Sequence, residues 1–196
     1  MDRVITLQDF YNECKASSDF LWGKARNLGH DPQLILHWTA GNWSTVFNDY
    51  HVCLTGQGVF HKMRDFTRIA TATWKHNSGT IAIALCCAYK AKPSDLGEYP
   101  PTKMQIEKTA MLISAFSDAM NVPIDKTHIL THGEVADNED GTNFYEPYGP
   151  KSTCERWDLE YLGTNESSKF DPYDEDGRGG SVLRGKGIWY QNNIFN

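Results

Sequence analysis

The sequence lacks any uninterrupted apolar run of the ~18 residues that a membrane-spanning helix requires, so we expect no membrane span. It also lacks a basic surplus: 19 Lys and Arg stand against 25 Asp and Glu, which gives a formal net charge of -6. Proteins that bind nucleic acid normally present a basic face to the phosphates, so this balance disfavours a nucleic-acid partner. The N-terminal residues include acidic side chains and no apolar core typical of a secretory signal peptide, which predicts a chain made in the cytosol.

The sequence also lacks a CxxC pair, which excludes zinc-ribbon and thioredoxin-type sites. Its five cysteines are an odd number, and Cys86 and Cys87 are adjacent. Neighbouring residues on a strand face opposite sides, so these two cannot join one simple pairing scheme. We therefore expect reduced thiols, as is usual in the cytosol.

What the sequence does contain is an alternation of strand and helix patterns, in a chain whose 12% aromatic content disfavours disorder. Apolar runs predict strands over residues 33–38, 80–87 and 127–131, and glycines between two further runs predict a hairpin over 50–63. Helical spacing predicts one or two helices over 6–26 and another over 102–121, with Thr102 as its cap. Together these elements predict an α/β domain with a mixed central β-sheet flanked by helices.

Two of the seven histidines, His37 and His132, each follow a predicted strand and precede a short loop that contains glycine. Strand ends at the rim of an open α/β sheet are the usual place for a site. A catalytic zinc ion takes about three protein ligands and keeps one open position. Cys154 and Asp158 are candidates for the third ligand, although Asp158 could equally cap a turn and Cys154 could be a small buried residue.

The order of short segments in the chain resembles one family. The segments are ILHWTAG, DYHVCLTGQG, NSGTIAIAL, a long helix, ILTHGEVA and ERWDL, between residues 34 and 162. In this order they resemble the type 2 N-acetylmuramoyl-L-alanine amidases, zinc peptidoglycan hydrolases that share a fold with peptidoglycan recognition proteins and some phage lysozymes. The resemblance implies cleavage of the amide bond between N-acetylmuramic acid and the L-alanine of the stem peptide.

The resemblance also implies roles for individual residues. His37 and His132 match the family's zinc ligands, for one Zn²⁺ per chain. The family's last ligand is an Asp or Cys preceded two positions earlier by Lys, Arg or Thr. Arg156 and Asp158 fit that pattern, and Cys154 is the alternative ligand. Arg156 would supply the cation that stabilises negative charge on the scissile carbonyl oxygen.

One departure from the family pattern concerns proton transfer. Many relatives carry a glutamate general base where this chain has Ala84. Another branch uses the tyrosine of a YH pair, which Tyr50 matches, so Tyr50 is expected to orient the water or the intermediate. Glu134 is a second candidate proton carrier, or else a carboxylate that holds a histidine tautomer.

The substrate groove is expected to be polar and aromatic. By their position on loops near the metal rim, its candidates are Trp43, Trp74, His76 and Asn77, with Tyr145 and Tyr148 from the long loop before Cys154. Tryptophans are also common core residues. The groove would bind the glycan and stem peptide of bacterial peptidoglycan.

The sequence predicts two parts of the chain, a catalytic domain and a C-terminal extension. We expect residues 1–163, with the helical segment 1–30, to form the catalytic domain of a monomer, and residues 164–196 to be a C-terminal extension of unknown role.

A phage or prophage endolysin, acting on the wall after release from the host cytoplasm, is the simplest setting. A secretion-system effector or a wall-recycling amidase would have a similar sequence. A non-catalytic peptidoglycan-binding module and a metal-free domain are the competing interpretations.

Overall fold

The computed structural model describes residues 2–194, and Phe195 of the aromatic C-terminal tail lies outside them. Six described strands form one sheet. They are β1 (Arg3–Ile5), β2 (Gln33–Trp38), β3 (Val52–Leu54), β4 (Phe60–Lys62), β5 (Thr80–Leu85) and β6 (Ile129–Thr131). Their order across the sheet is β1-β4-β3-β5-β2-β6.

The sheet is mixed, with a parallel centre. β2 pairs in parallel with β5 on one side and with β6 on the other, and β3 is also parallel to β5. β4 runs antiparallel to β3 and to β1. Every residue of β2 and β5 is buried, as expected for parallel strands that are covered on both faces. The predicted fold class, including the hairpin, is confirmed.

Five described helices accompany the sheet: α1 (Leu7–Ala16), α2 (Ser18–Arg26), α3 (Lys103–Met120), α4 (His132–Ala136) and α5 (Gly179–Ile194). The long helix α3 packs against both α1 and α5. It begins with a capping box, in which Thr102 and Gln105 satisfy each other's backbone N–H groups. It ends at Asn121, whose left-handed backbone (φ 55°) turns the chain toward Pro123.

The parallel register brings two strand ends together. Leu36 of β2 lies opposite Thr131 of β6. The next residue along each strand is a histidine, so His37 and His132 emerge side by side at the same edge of the sheet. His132 is also the first residue of α4, for which Thr131 is the N-cap.

Three elements were not predicted from the sequence: β1, α4 and α5. The helix α5 lies within the predicted extension and packs against α3 and β6. None of the helices in residues 2–194 combines the length and the hydropathy that crossing a membrane requires.

Candidate metal centre and adjoining cavities

Three side chains converge where β2 and β6 end. Asp158 Oδ2 lies 3.6 Å from His37 Nδ1 and 3.7 Å from His132 Nδ1. One donor atom from each of the three residues lies within 4.8 Å of the other two. Both histidines are buried, and the side chain of Asp158 is 13% exposed. Two imidazole nitrogens and a carboxylate oxygen form a donor set typical of a catalytic zinc site.

Asp158 reaches this edge from a loop rather than from a regular element. The backbone N–H of Trp38, the last residue of β2, donates to Asp158 Oδ2 at 3.4 Å. The following residue, Leu159, adopts a left-handed backbone (φ 58°) and is fully buried. The buried leucine therefore anchors the loop while the carboxylate points toward the histidines.

The protonation states suit a metal. Burial lowers the pKa of His37 to about 4, with a smaller contribution from the neighbouring His132 and against the opposing effect of Asp158. Burial by itself would raise the pKa of Asp158, but the adjacent imidazoles of His132 and His37 outweigh it and hold the pKa well below its usual range. Neutral imidazole and ionised carboxylate are the forms that bind metal ions.

The orientation of the His37 ring is set by Thr73, a residue that sequence analysis missed. Thr73 is buried, and its Oγ1 lies 3.2 Å from His37 Nε2. This contact leaves His37 Nδ1 free to face Asp158. Thr73 is itself held by Asn77, whose Oδ1 accepts from the Thr73 N–H at 2.9 Å and from the Ala72 N–H at 3.0 Å. No periodic pattern in this loop signals the contact.

Tyr50 lies against the same histidine. Its ring centroid is 5.2 Å from that of His37, and its hydroxyl donates to the Trp38 carbonyl at 3.4 Å. Burial and the charge of Asp158 raise the pKa of Tyr50, so its hydroxyl keeps its proton. Ala84 lies in a small apolar cluster with Cys53, Met63 and Cys86, against which Tyr50 packs.

Arg156 and His132 line two cavities, with volumes of about 710 Å³ and about 390 Å³. The guanidinium of Arg156 is exposed, and it donates to the carbonyl of Glu155 at 3.3 Å. Tyr50 and Asp158 line the smaller cavity. The larger cavity is also lined by Thr71, Ala72, Trp74, Asn77, Glu146, Tyr148 and Glu155.

The structure does not bring the alternative ligand to the site. Cys154 is absent from the donor group that the described residues form. It lies on a left-handed backbone (φ 60°), and its N–H donates to the carbonyl of Gly149. Burial raises the pKa of its thiol, and the charges of Glu160 and Asp137 raise it further. The geometry therefore favours Asp158 over Cys154 as the third donor.

Glu134 does not occupy the position of a proton carrier. Its carboxylate is fully buried and receives two hydrogen bonds from Arg184, both at 2.8 Å. Glu134 Oε2 also accepts from the backbone N–H of Thr131 at 2.9 Å. The carboxylate is thus committed to these donors, and Glu134 lines neither of the two cavities.

The expected groove residues separate into two groups. Trp74, 61% exposed, and Asn77 line the larger cavity. His76 is buried behind it, with Nδ1 2.7 Å from Asp140 Oδ2, so its ring is not available to a ligand. Trp43 does not line either of the two cavities, because its indole N–H donates to the Pro100 carbonyl and its ring packs against Tyr99. Of the two tyrosines, Tyr148 lines the larger cavity, whereas Tyr145 is not among its lining residues.

Similarity to known proteins covers part of the chain. A family model described as N-acetylmuramoyl-L-alanine amidase matches residues 27–146, which include both histidines but not Asp158. Among solved structures, N-acetylmuramoyl-L-alanine amidase LysC from Clostridium intestinale is similar, at 16% sequence identity and a TM-score of 0.42. That match covers 59% of this chain and 80% of the other. No curated protein matches the chain.

Proposed function

The chain belongs to the N-acetylmuramoyl-L-alanine amidase family, whose substrate is peptidoglycan, and we propose that it cleaves its substrate as a zinc-dependent enzyme. The bond would be the amide between the lactyl group of N-acetylmuramic acid and the L-alanine of the stem peptide. The observation that carries the proposal is the convergence of His37, His132 and Asp158 at one sheet edge, beside two open cavities.

These residues fit zinc in number and in kind. Two imidazoles and one carboxylate are the three protein ligands that a catalytic zinc site typically has, with one further position kept for water or substrate. His37 presents Nδ1 because Thr73 holds its Nε2. His37, His132 and Asp158 would hold the zinc ion, which would supply Lewis acidity toward the scissile carbonyl and a water molecule.

We assign charge stabilisation to Arg156. Its side chain lines both cavities beside His132, so a substrate that spans them passes the guanidinium. There it would stabilise the negative charge that develops on the carbonyl oxygen. We assign Tyr50 to orientation of the water or the intermediate. Its raised pKa supports a role as hydrogen-bond donor rather than as base.

The larger cavity is the candidate binding place for the glycan and the stem peptide. Trp74 offers an exposed indole, and Lys75 Nζ lies 4.2 Å from its ring centroid. Tyr148 offers a second aromatic surface, and Asn77 holds the loop that carries Trp74. A flat aromatic ring beside polar side chains is suited to a sugar ring and its amide substituents.

The experiment that tests the function combines metal content with product analysis. The purified chain should hold about one zinc ion, and its digest of purified peptidoglycan should contain stem peptides with a new N-terminal alanine, detected by mass spectrometry. A chelator should abolish the release, and added zinc should restore it. Absence of zinc, or release that the chelator does not affect, contradicts the proposal.

A non-catalytic peptidoglycan-binding module is the second candidate function. Ala84 favours it, since the apolar cluster around this residue offers no carboxylate as a base. The same digest separates the two: zinc and sedimentation with peptidoglycan, without release of peptides, would identify the binding module.

We also propose a bacteriolytic role for the enzyme, that of a phage or prophage endolysin. The support is the substrate class, because cleavage of polymeric wall causes lysis. An endolysin should clear a suspension of intact sacculi, whereas a wall-recycling amidase should prefer small wall fragments. The ratio of the two rates, measured with the same enzyme preparation, decides between them.

A further inference from the structure

Two buried arginines connect the C-terminal helix to the segments that carry the metal ligands. Arg178 directly precedes α5 and is 1% exposed, and Arg184 lies within α5 and is 7% exposed. Both lie beyond residues 27–146, the part of the chain that the family model matches. Buried arginines are rare unless they are paired.

Arg184 holds the start of α4. It donates to both carboxylate oxygens of Glu134 at 2.8 Å and to the carbonyl of Ile129, in β6, at 2.9 Å. Glu134 in turn accepts from the Thr131 N–H, and Thr131 Oγ1 accepts from the Glu134 N–H. This capping box encloses His132, which lies between Thr131 and Glu134 in the chain.

Arg178 joins the other end of α4 to the segment of Asp158. It donates to Asp137 Oδ2 at 3.0 Å, and Asp137 is the C-cap of α4. It also donates to Glu160 Oε2 at 2.9 Å, and Glu160 lies two residues after Asp158. The N–H of Gly179 donates to the carbonyl of Glu160 at 2.8 Å, which adds a backbone contact to the same segment.

Close approach of α5 depends on the glycines at its start. A Cβ atom at Gly180 would lie 2.5 Å from both carboxylate oxygens of Glu134. A Cβ atom at Gly179 would lie 2.1 Å from the carbonyl oxygen of Leu159. Even one methyl group would therefore displace Glu134, which Arg184 holds, or the carbonyl of Leu159, the residue after Asp158.

We propose that Arg178 and Arg184 are positioning residues of the metal centre. Arg184 acts on His132 through Glu134, and Arg178 acts on Asp158 through Glu160. The inference rests on the proposed function, since it takes the three converging residues as the zinc ligands. On this account the start of α5 belongs to the active site and is not a separate extension.

The test measures zinc affinity by competition with a chromophoric chelator, together with the visible spectrum of the Co²⁺-substituted protein. Arg184→Met and Arg178→Met should each weaken zinc binding by ~10–100-fold, the usual range for loss of a group that orients a metal ligand. Each variant should also alter the Co²⁺ spectrum. Lys186→Met is the matched control. It removes an ion pair of the same helix, between Lys186 and Glu107 of α3, that contacts none of the three ligands.

A second pair of variants leaves every charge in place. Gly180→Ala should weaken zinc binding, because its methyl group displaces Glu134. Gly185→Ala should not, because nothing lies within 4 Å of that position in the same helix. If the arginine variants do not fold, this comparison of zinc affinities tests whether the contact with Glu134 positions the metal ligands.

The outcomes separate the inference from the proposed function. A lower melting temperature with unchanged zinc affinity and unchanged Co²⁺ spectrum would show a structural role only and overturn the inference. Zinc binding that depends on the arginines without hydrolysis of peptidoglycan would overturn the proposed function and support the inference. A wild-type chain that binds no zinc would overturn both.

Discussion

Thr73→Val removes one hydroxyl next to the candidate metal centre and leaves the side-chain volume almost unchanged. Thr73 and His37 are each 1% exposed, so water does not replace the lost partner of His37 Nε2. When Nδ1 binds a metal, the ring proton must lie on Nε2, where it would face a methyl group in the variant. In the metal-free protein the ring can instead place its proton on Nδ1, toward Asp158. The substitution therefore penalises the metal-bound state more than the metal-free state.

The size of this penalty follows from the cost of a buried donor without a partner, about 1–2 kcal/mol, which corresponds to a loss of roughly 5- to 30-fold in zinc affinity. Competition with a chromophoric chelator measures it directly. Thr73→Ser is the matched control, because it keeps the hydroxyl that bonds to His37 and should retain most of the affinity. Wild-type affinity in Thr73→Val, or an equal loss in Thr73→Ser, would refute the reasoning.

Three further predictions concern the ligands, the charge on the substrate and the response to acid. Asp158→Ala should lose zinc and peptidoglycan hydrolysis, whereas Cys154→Ala should keep both; elemental analysis and the peptide-release assay decide, and the reverse pattern would contradict the assignment. Arg156→Gln should lower kcat by ~10²–10³ with little change in KM or in zinc content, as steady-state kinetics would show; a change in KM alone would indicate a binding role. Burial lowers the pKa of His51 to about 4 from an ordinary 6.5, and its neutral ring accepts from the Ala82 N–H and donates to the Arg68 carbonyl. Between pH 6.5 and about pH 4 the His51 ring is neutral in the folded state and protonated in the unfolded state, so unfolding takes up a proton. The free energy of unfolding should therefore fall on acidification by up to about 1.4 kcal/mol per pH unit. Urea denaturation should show a shallower pH dependence for His51→Gln, and equal slopes would contradict the reasoning.

The sequence predicts the positions of the two histidines well because a simple rule applies to them. Each follows an apolar strand, and parallel strands end at the same edge of a sheet. The pairing of Leu36 with Thr131 shows that the two strand ends are neighbours. Periodicity and spacing do not decide between Cys154 and Asp158, because both lie in a loop, and only the family resemblance, through Arg156, favours Asp158. That choice depends on left-handed backbone at Cys154 and at Leu159, which no residue type signals there.

Loop residues near the site are harder to predict, since distance along the chain does not give orientation. His76 and Asn77 are adjacent in the loop before β5. The Asn77 side chain holds that loop together and lines the cavity, whereas His76 points inward to Asp140. Glu134 shows the same limit: a carboxylate two residues after a ligand suggests chemistry, but its actual partner, Arg184, lies 50 residues away in the sequence.

The C-terminal helix is the element where composition misleads most, for a physical reason. Glycine costs about 1 kcal/mol relative to alanine in a helix, so four glycines within α5 argue against a helix when the sequence is taken alone. In the structure three of these glycines, Gly179, Gly180 and Gly187, permit contacts that a side chain would prevent. A Cβ atom at Gly187 would lie 2.6 Å from the side chain of Ile113 in α3, and one at Gly180 would displace Glu134. The glycines that make the helix difficult to predict from the sequence thus also allow it to pack against α3 and to reach the segment of His132. Whether this glycine-rich helix supports the metal centre, as we propose, is measured by the comparison of Gly180→Ala with Gly185→Ala.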